Sequence, residues 1–305
     1  MARKRKGNPV HGWINLDKPQ GLTSTQAIGR IRRILSPAKI GHAGTLDPLA
    51  TGILPIAMGD ATKVIPYVQD ADKTYNFTIK WGMATDTEDS EGDIVKTSDN
   101  RPTLDQIHAL IPEFMGEVEQ IPPKYSAIKI NGQRAYDLAR AGHDVDIKSR
   151  IVNIYDLELL DHYDDQASFR VNCGKGTYVR ALARDIAEKL DTCGHVIDLR
   201  REAVGYFTLE NAISLELLEK MDHSAALEDV LMPLQAPLDD IPALPVSEQE
   251  ASKLKNGQNL SFISKQDFHR LNGLDNLVLA ELNGQAVALA EIEKAFVKPV
   301  RVFNQ

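Results

Sequence analysis

The sequence predicts an α+β protein, with strands and amphipathic helices through most of the chain and a small, mostly β module at its end. Three observations carry that expectation. Lys73-Thr74-Tyr75-Asn76-Phe77-Thr78-Ile79-Lys80-Trp81 alternates strictly, with Tyr75, Phe77, Ile79 and Trp81 on one face, and reads as a strand. Two stretches read as amphipathic helices, one with Ala27, Ile31, Ile34 and Leu35 on a face, the other with Val179, Leu182, Ala183, Ile186 and Leu190. Beyond a proline-rich linker from Met232 to Pro245, a short helix ending near Gly257 precedes strands at 277–282 and 286–292, joined by Asn283-Gly284.

The chain has 305 residues, enough for one large domain and a small one. Its 43% hydrophobic and 26% charged residues are ordinary for a soluble globular protein. The two cysteines, Cys173 and Cys193, form neither a metal pattern nor a disulfide framework, and so few thiols fit a reducing cytosol. The expected location is cytoplasmic. No apolar run is long enough to span a membrane, and no signal-peptide core is present.

Net charge is −8, from 35 basic and 43 acidic residues. Alone, that argues against a nucleic-acid partner, but binding depends on how charge is distributed. Acids cluster at 86–93, 161–165 and 210–240, and bases at 3–6, 30–33, 124–140 and 175–201. Such segregation permits one basic face on an acidic protein.

In chain order, Arg3 to Lys6 reads as a solvated tail, with a phosphate-contacting arm as the alternative. Gly12 to Leu16 alternates like a strand. Asp17 to Gly21 is a turn, and Thr23 or Ser24 caps the first helix. Asp86 to Asp93 lacks the ligand pattern of a calcium loop and reads as a solvated loop. Thr103 caps a helix that stops at Pro112, and a strand ends at Pro122-Pro123. Asn131-Gly132 carries a hairpin signal, followed by a short basic helix over 135–141. Strands are expected over 151–160 and 168–173. Thr177 then caps the second amphipathic helix, with Arg180 in its first turn. A cation there is mildly disfavoured by the helix dipole, which points to an anionic partner.

The stretch from Gly41 to Pro55 organises the rest. It holds three glycines and an Asp47-Pro48 step, with no hydrophobic run until Ile53. Asp before Pro is pushed toward extended backbone, so Asp47 should sit in a rigid loop ahead of the apolar segment 53–58. Rigid loops on a scaffold often carry catalytic groups, although Asp-Pro is also a plain turn initiator.

Gly41 to Pro55 resembles the signature of the TruB-type tRNA pseudouridine-55 synthases. Other motifs match in the family's order: Asp17 to Ser24, Lys73-Thr74-Tyr75, Gly176 to Arg180, and Leu199-Arg200-Arg201. The resemblance implies the pseudouridine synthase α+β fold, an extended mixed, largely antiparallel sheet with helices around it. It implies a catalytic domain over 1–240 and a PUA-like RNA-binding β-barrel over 241–305. It implies Asp47 as nucleophile, Arg180 as its partner, and Tyr75 stacked on the target uracil. His42, Tyr178, Leu199 and Lys18 are implied as substrate-binding residues. The implied substrate is uridine 55 in the T arm of tRNA. No metal or cofactor is implied, and the chain is expected to act as a stand-alone monomer without an obligate protein partner.

The reaction explains these needs. A base inside folded RNA must be extruded at a cost of a few kcal/mol. Stacking on an aromatic ring returns about 1–3 kcal/mol. A free aspartate, with a pKa of about 3.9, is ionised at neutral pH and available for covalent chemistry. Competing readings are a non-catalytic RNA-binding or tRNA-folding chaperone of the same fold, and a guide-RNA-dependent relative. A carboxylate glycosidase is the third, and it would need a second acid that the loop motifs do not offer.

Overall fold

The computed structural model describes residues 7–126, 128–130, 133–134, 136, 147–221, 230–264 and 269–304. The basic tail at 3–6, the Asn131-Gly132 turn and the helix expected over 135–141 lie outside these, apart from residue 136. In chain order the strands are β1 (Gly12–Lys18), β2 (Ile40–His42), β3 (Thr51–Met58), β4 (Lys73–Trp81), β5 (Met83–Thr85), β6 (Ile94–Thr97), β7 (Gly116–Gln120), β8 (Lys129–Ile130), β9 (Gln133–Arg134), β10 (Arg150–Tyr163), β11 (Gln166–Cys173), β12 (Gly194–Val204), β13 (Phe207–Thr208), β14 (Ile213–Ser214), β15 (Ala243–Pro245), β16 (Leu260–Ser261), β17 (Leu277–Leu282), β18 (Gln285–Glu293) and β19 (Phe296–Val302). The helices are α1 (Ser24–Leu35), α2 (Ile65–Asp70), α3 (Leu104–Leu110), α4 (Val179–Lys189), α5 (Leu215–Lys220) and α6 (Glu248–Lys255).

Among the described residues, ten strands make one sheet in the order β14-β1-β3-β12-β4-β11-β10-β7, with β2 on β3 and β13 on β12. β14 on β1 and β12 on β3 pair in parallel, and the other pairs are antiparallel. The mixed, largely antiparallel sheet flanked by helices is therefore present. The strictly alternating segment, β4, lies in its middle: Phe77, Ile79 and Trp81 are buried, and the face ends in half-buried Tyr75.

α1 forms as its sequence dictates. Thr23 accepts from the Gln26 amide in a capping box, and Ala27, Ile31 and Leu35 bury one stripe. That stripe joins the main core with Phe77, Phe169, Leu182 and Ile186. A second core lies elsewhere in the fold. Trp13, Ile53 and Phe207 there meet Leu279, Leu289 and Phe303 from the C-terminal sheet. That sheet runs β15-β17-β18-β19-β16, with a core of its own closed by Leu254 of α6.

Several expectations need correction. The proline-rich stretch from Met232 to Pro245 packs onto the fold instead of hanging free. Leu234 and Leu238 are buried in the second core, and the Trp13 indole donates to the Leu234 carbonyl at 3.0 Å. The α-helix after Thr103 ends at Leu110 as expected, and the chain then continues through Pro112 as a separate 3-10 turn, Ile111–Phe114, because proline lacks only a donor that a first turn leaves unused. Tyr178, not Thr177, is the N-cap of α4, and the Thr177 hydroxyl instead donates to the Gly174 carbonyl. The loop 86–93 is strapped to the sheet: Ser90 N–H donates to Val196 O at 3.0 Å and Val196 N–H to Glu88 O at 3.1 Å.

Candidate active site

The loop between β2 and β3 is held from several sides. The Ser24 hydroxyl, at the start of α1, donates to Leu46 O at 3.0 Å and accepts from Leu46 N at 2.9 Å. Ala50 N–H closes a turn on Asp47 O at 3.1 Å, and Gly21 N–H reaches Pro48 O at 2.8 Å. From β12, Arg201 donates through Nε to Ile53 O at 2.7 Å and through Nη2 to Gly44 O at 3.1 Å. Gly52 sits at φ +95, where a Cβ would run into the Arg201 carbonyl, so that position requires glycine. The result is the rigid loop that Asp47-Pro48 predicted, with the Asp47 side chain 37% exposed.

Arg180, in the first turn of α4, faces that carboxylate. Its Nε lies 3.0 Å from Asp47 Oδ2, and its own side chain is only 6% exposed. Nη1 donates to Thr87 O at 2.7 Å, and Nη2 to Tyr125 O at 2.9 Å. Nη1 also stands 3.6 Å from Asp89 Oδ2. The guanidinium fork is thus fixed in its plane, and one edge is left for Asp47. The anionic partner expected from its position is a carboxylate.

Asp89 is the residue that sequence reasoning missed. Its side chain is 4% exposed. Oδ1 accepts from the Thr87 hydroxyl at 2.6 Å and from Glu91 N–H at 3.0 Å. An Asp within a run of acids looks solvated, and only the long-range strap to β12 turns it inward. The usable signal was the pair of threonines, because Thr85 also donates to Asp89 O.

The other predicted residues fall around this pair. Tyr75 pairs with Arg201 across β4 and β12, and burial raises its phenol above the usual tyrosine range, opposed by the Arg201 charge. Leu199, opposite Phe77, is buried in the main core that also packs Tyr75. Lys18 is wholly buried, and Nζ donates to Pro19 O at 2.9 Å and Leu22 O at 2.8 Å. Burial lowers it to about 8, against an opposing pull from Asp47. Both of these Lys18 contacts hold the turn between β1 and α1. Tyr178 lies beside Arg180 in the chain, with the Arg150 guanidinium 5.0 Å over its ring. His42 is the last residue of β2, half-buried and paired with Ile56.

An open groove of about 400 Å³ runs past the loop, lined by Gln20, Gly21, Pro48, Leu49, Ser90 and Glu91. Glu91 is raised above the usual carboxylate range by burial, then by the charges of Asp89 and Asp47. A partly exposed carboxylate held by a buried arginine, with a groove alongside, is an arrangement suited to covalent or acid–base chemistry.

Residues 32–179 match the model of the TruB family pseudouridylate synthase N-terminal domain, and residues 180–239 the tRNA pseudouridylate synthase B C-terminal domain. The chain is 51% identical to a tRNA pseudouridine synthase B of Caulobacter vibrioides, over 100% of this chain and 99% of that one. It belongs to the TruB family. A second TruB-family relative, the tRNA pseudouridine synthase B of Rhodospirillum rubrum, is 49% identical over the whole of both chains. Among solved structures, a Cbf5-Nop10-Gar1 complex is similar with TM-score 0.71 at 27% identity, covering 96% of this chain and 84% of that one. In this TruB-family fold the loop that carries Asp47 and the first turn of α4 with Arg180 meet, and β4 with Tyr75 lies beside β12. No helix among the described residues is long and apolar enough to cross a membrane.

Proposed function

We propose that this chain isomerises uridine 55 in the T loop of tRNA to pseudouridine, with Asp47 as nucleophile, Arg180 holding it and Tyr75 stacked on the extruded base. Formation of pseudouridine in tRNA is the activity its full-length TruB-family relatives are named for. The observation that carries the residue assignment is the 3.0 Å approach of buried Arg180 to half-exposed Asp47.

The isomerisation breaks the bond from N1 of the uracil to C1′ of the ribose. The base turns, C5 bonds to C1′, the proton on C5 leaves, and N1 ends protonated. Atoms balance without a co-reactant. A carboxylate carries the covalent or proton-transfer step, and Arg180 keeps it charged and aimed. Tyr75 stays a neutral phenol, able to stack and to sit over the C5 proton.

Asp89 does not revive a hydrolase with two working acids. Both of its oxygens are engaged, by Thr87, Glu91 and Arg180. It serves the arginine. Residues 241–305 are read as a PUA-like RNA-binding module that extends the contact along the tRNA, and 1–240 as the catalytic domain. The enzyme is read as cytoplasmic and acting without an obligate protein partner.

The test uses tRNA transcripts carrying tritium at uridine C5. Tritium release from the normal transcript, and none when uridine 55 is replaced by cytidine, is expected. Release that survives the replacement would move the target elsewhere.

A further inference from the structure

Arg201 has no part in the chemistry given to Asp47, Arg180 and Tyr75, yet it is a charged side chain only 2% exposed at the centre of the sheet. Its neighbour Arg200 is an ordinary partner of Asp17, with Nη2 2.8 Å from Oδ2 and both side chains about one-third exposed. Among the described residues, no carboxylate lies within ion-pair distance of Arg201. A buried cation in that position is expensive and is retained only where its donors are well used.

The donors go to two places. Ile53 O and Gly44 O, its acceptors at 2.7 and 3.1 Å, bracket the segment that carries Asp47. On the other side, Arg201 is the strand partner of Tyr75, so the two side chains leave the sheet on the same face, and the Arg201 charge acts on the Tyr75 phenol. The parallel pairing of Arg201 with Gly52 brings β12 close enough to β3 for one side chain to reach both ends of the loop.

We propose that Arg201 is a positioning residue for the isomerisation, one guanidinium that fixes the Asp47 loop and the Tyr75 ring relative to each other. The planar fork supplies donors in several directions at once, which a lysine ammonium on a flexible stem does not. The proposal rests on Asp47 being the nucleophile and Tyr75 the stacking residue.

Arg201→Lys and Arg201→Gln are compared with the wild-type chain in single turnover on an unmodified tRNA transcript. Transcript affinity and melting temperature are measured on the same preparations. The expected result is a rate lowered by about 100-fold in folded protein, the scale of an ångström-size misplacement, with affinity changed less than about twofold. A purely structural role would not move the coupling with Tyr75→Phe. The proposal expects the combined loss from Arg201→Lys and Tyr75→Phe to be clearly smaller than the product of the single losses. Wild-type rate in either folded variant, losses that multiply, or a loss confined to affinity would overturn it. Failure of both variants to fold would overturn it too, by making Arg201 a residue of the fold alone. Asp47→Asn is run alongside. If that variant stays active, the nucleophile assignment fails; if it is dead while Arg201→Lys is fully active, only the role of Arg201 fails.

Discussion

Arg180 is buried and Asp47 is not, and Nε of the first lies 3.0 Å from Oδ2 of the second. The arrangement is one-sided. The arginine spends its other donors on Thr87 O, Tyr125 O and Asp89, so it cannot swing away, whereas the carboxylate stays partly exposed, next in the chain to Pro48 of the groove lining. A fixed cation that points at a partly exposed anion is what a reaction at that anion requires.

Arg180→Ala removes that fork and leaves Asp89 buried without its cation. Breaking a buried pair in this way costs about 3–5 kcal/mol, so the melting temperature should fall. Single-turnover pseudouridine formation should fall by at least about 100-fold, with a much smaller change in tRNA affinity. Equal losses in rate and affinity would reduce Arg180 to a phosphate contact.

Asp89→Asn keeps the shape of the inner carboxylate and removes its charge. The charge lost is an ion-pair partner 3.6 Å from Arg180, an interaction on the scale of a few kcal/mol, and about 1.4–2.8 kcal/mol as a rate is about 10- to 100-fold. That loss in rate is expected, with tRNA binding retained. An unchanged rate constant would show that Thr87 O and Tyr125 O suffice to hold Arg180.

Lys18 should leave a signature in stability against pH. Its ammonium has an ordinary value of 10.5 and is lowered to about 8 in the fold, chiefly by burial. Between those values the unfolded chain holds a proton that the folded chain has lost. Stability from this group therefore rises with pH across that window, by at most about 1.4 kcal/mol per pH unit, and is flat below it. Urea denaturation of the wild-type chain and Lys18→Met should show the difference shifting toward the wild type from about pH 8 to about pH 10. A constant difference would contradict the burial assigned to Lys18.

Phe303 is 0% exposed in the core shared by the two sheets. Phe303→Ala should cost about 3–5 kcal/mol by lost burial and cavity formation. Asp60 and Lys63 reinforce the same seam by bonding Asn304 N and Val302 O. Chemical denaturation checks the cost, and a loss below about 1 kcal/mol would mean that the C-terminal sheet is not held by this contact.

Local patterns in the sequence carried a good part of this. The alternation from Lys73 to Trp81, the cap at Thr23 and the glycines around Asp47 each act over a few residues, and each took the expected form. Long-range pairing was hidden. β12 sits between β3 and β4, but its sequence from Gly194 to Val204 mixes His195, Asp198 and three further charged residues with its apolar positions. Charge in a central strand reads as surface until Arg201 is seen to serve backbone carbonyls. Asp89 was hidden for the same reason, because its inward turn depends on Val196 more than a hundred residues away. The site residues with a short motif around them, Asp47 and Arg180, were legible, and those that support them from another strand were not.

The most direct test of the central assignment maps pseudouridine on an unmodified tRNA transcript treated with the wild-type chain or with Asp47→Asn. The account predicts pseudouridine at position 55 with the wild type only, while the variant still folds and binds the transcript. Pseudouridine formed by Asp47→Asn, or none formed by a folded and binding wild type, would contradict it.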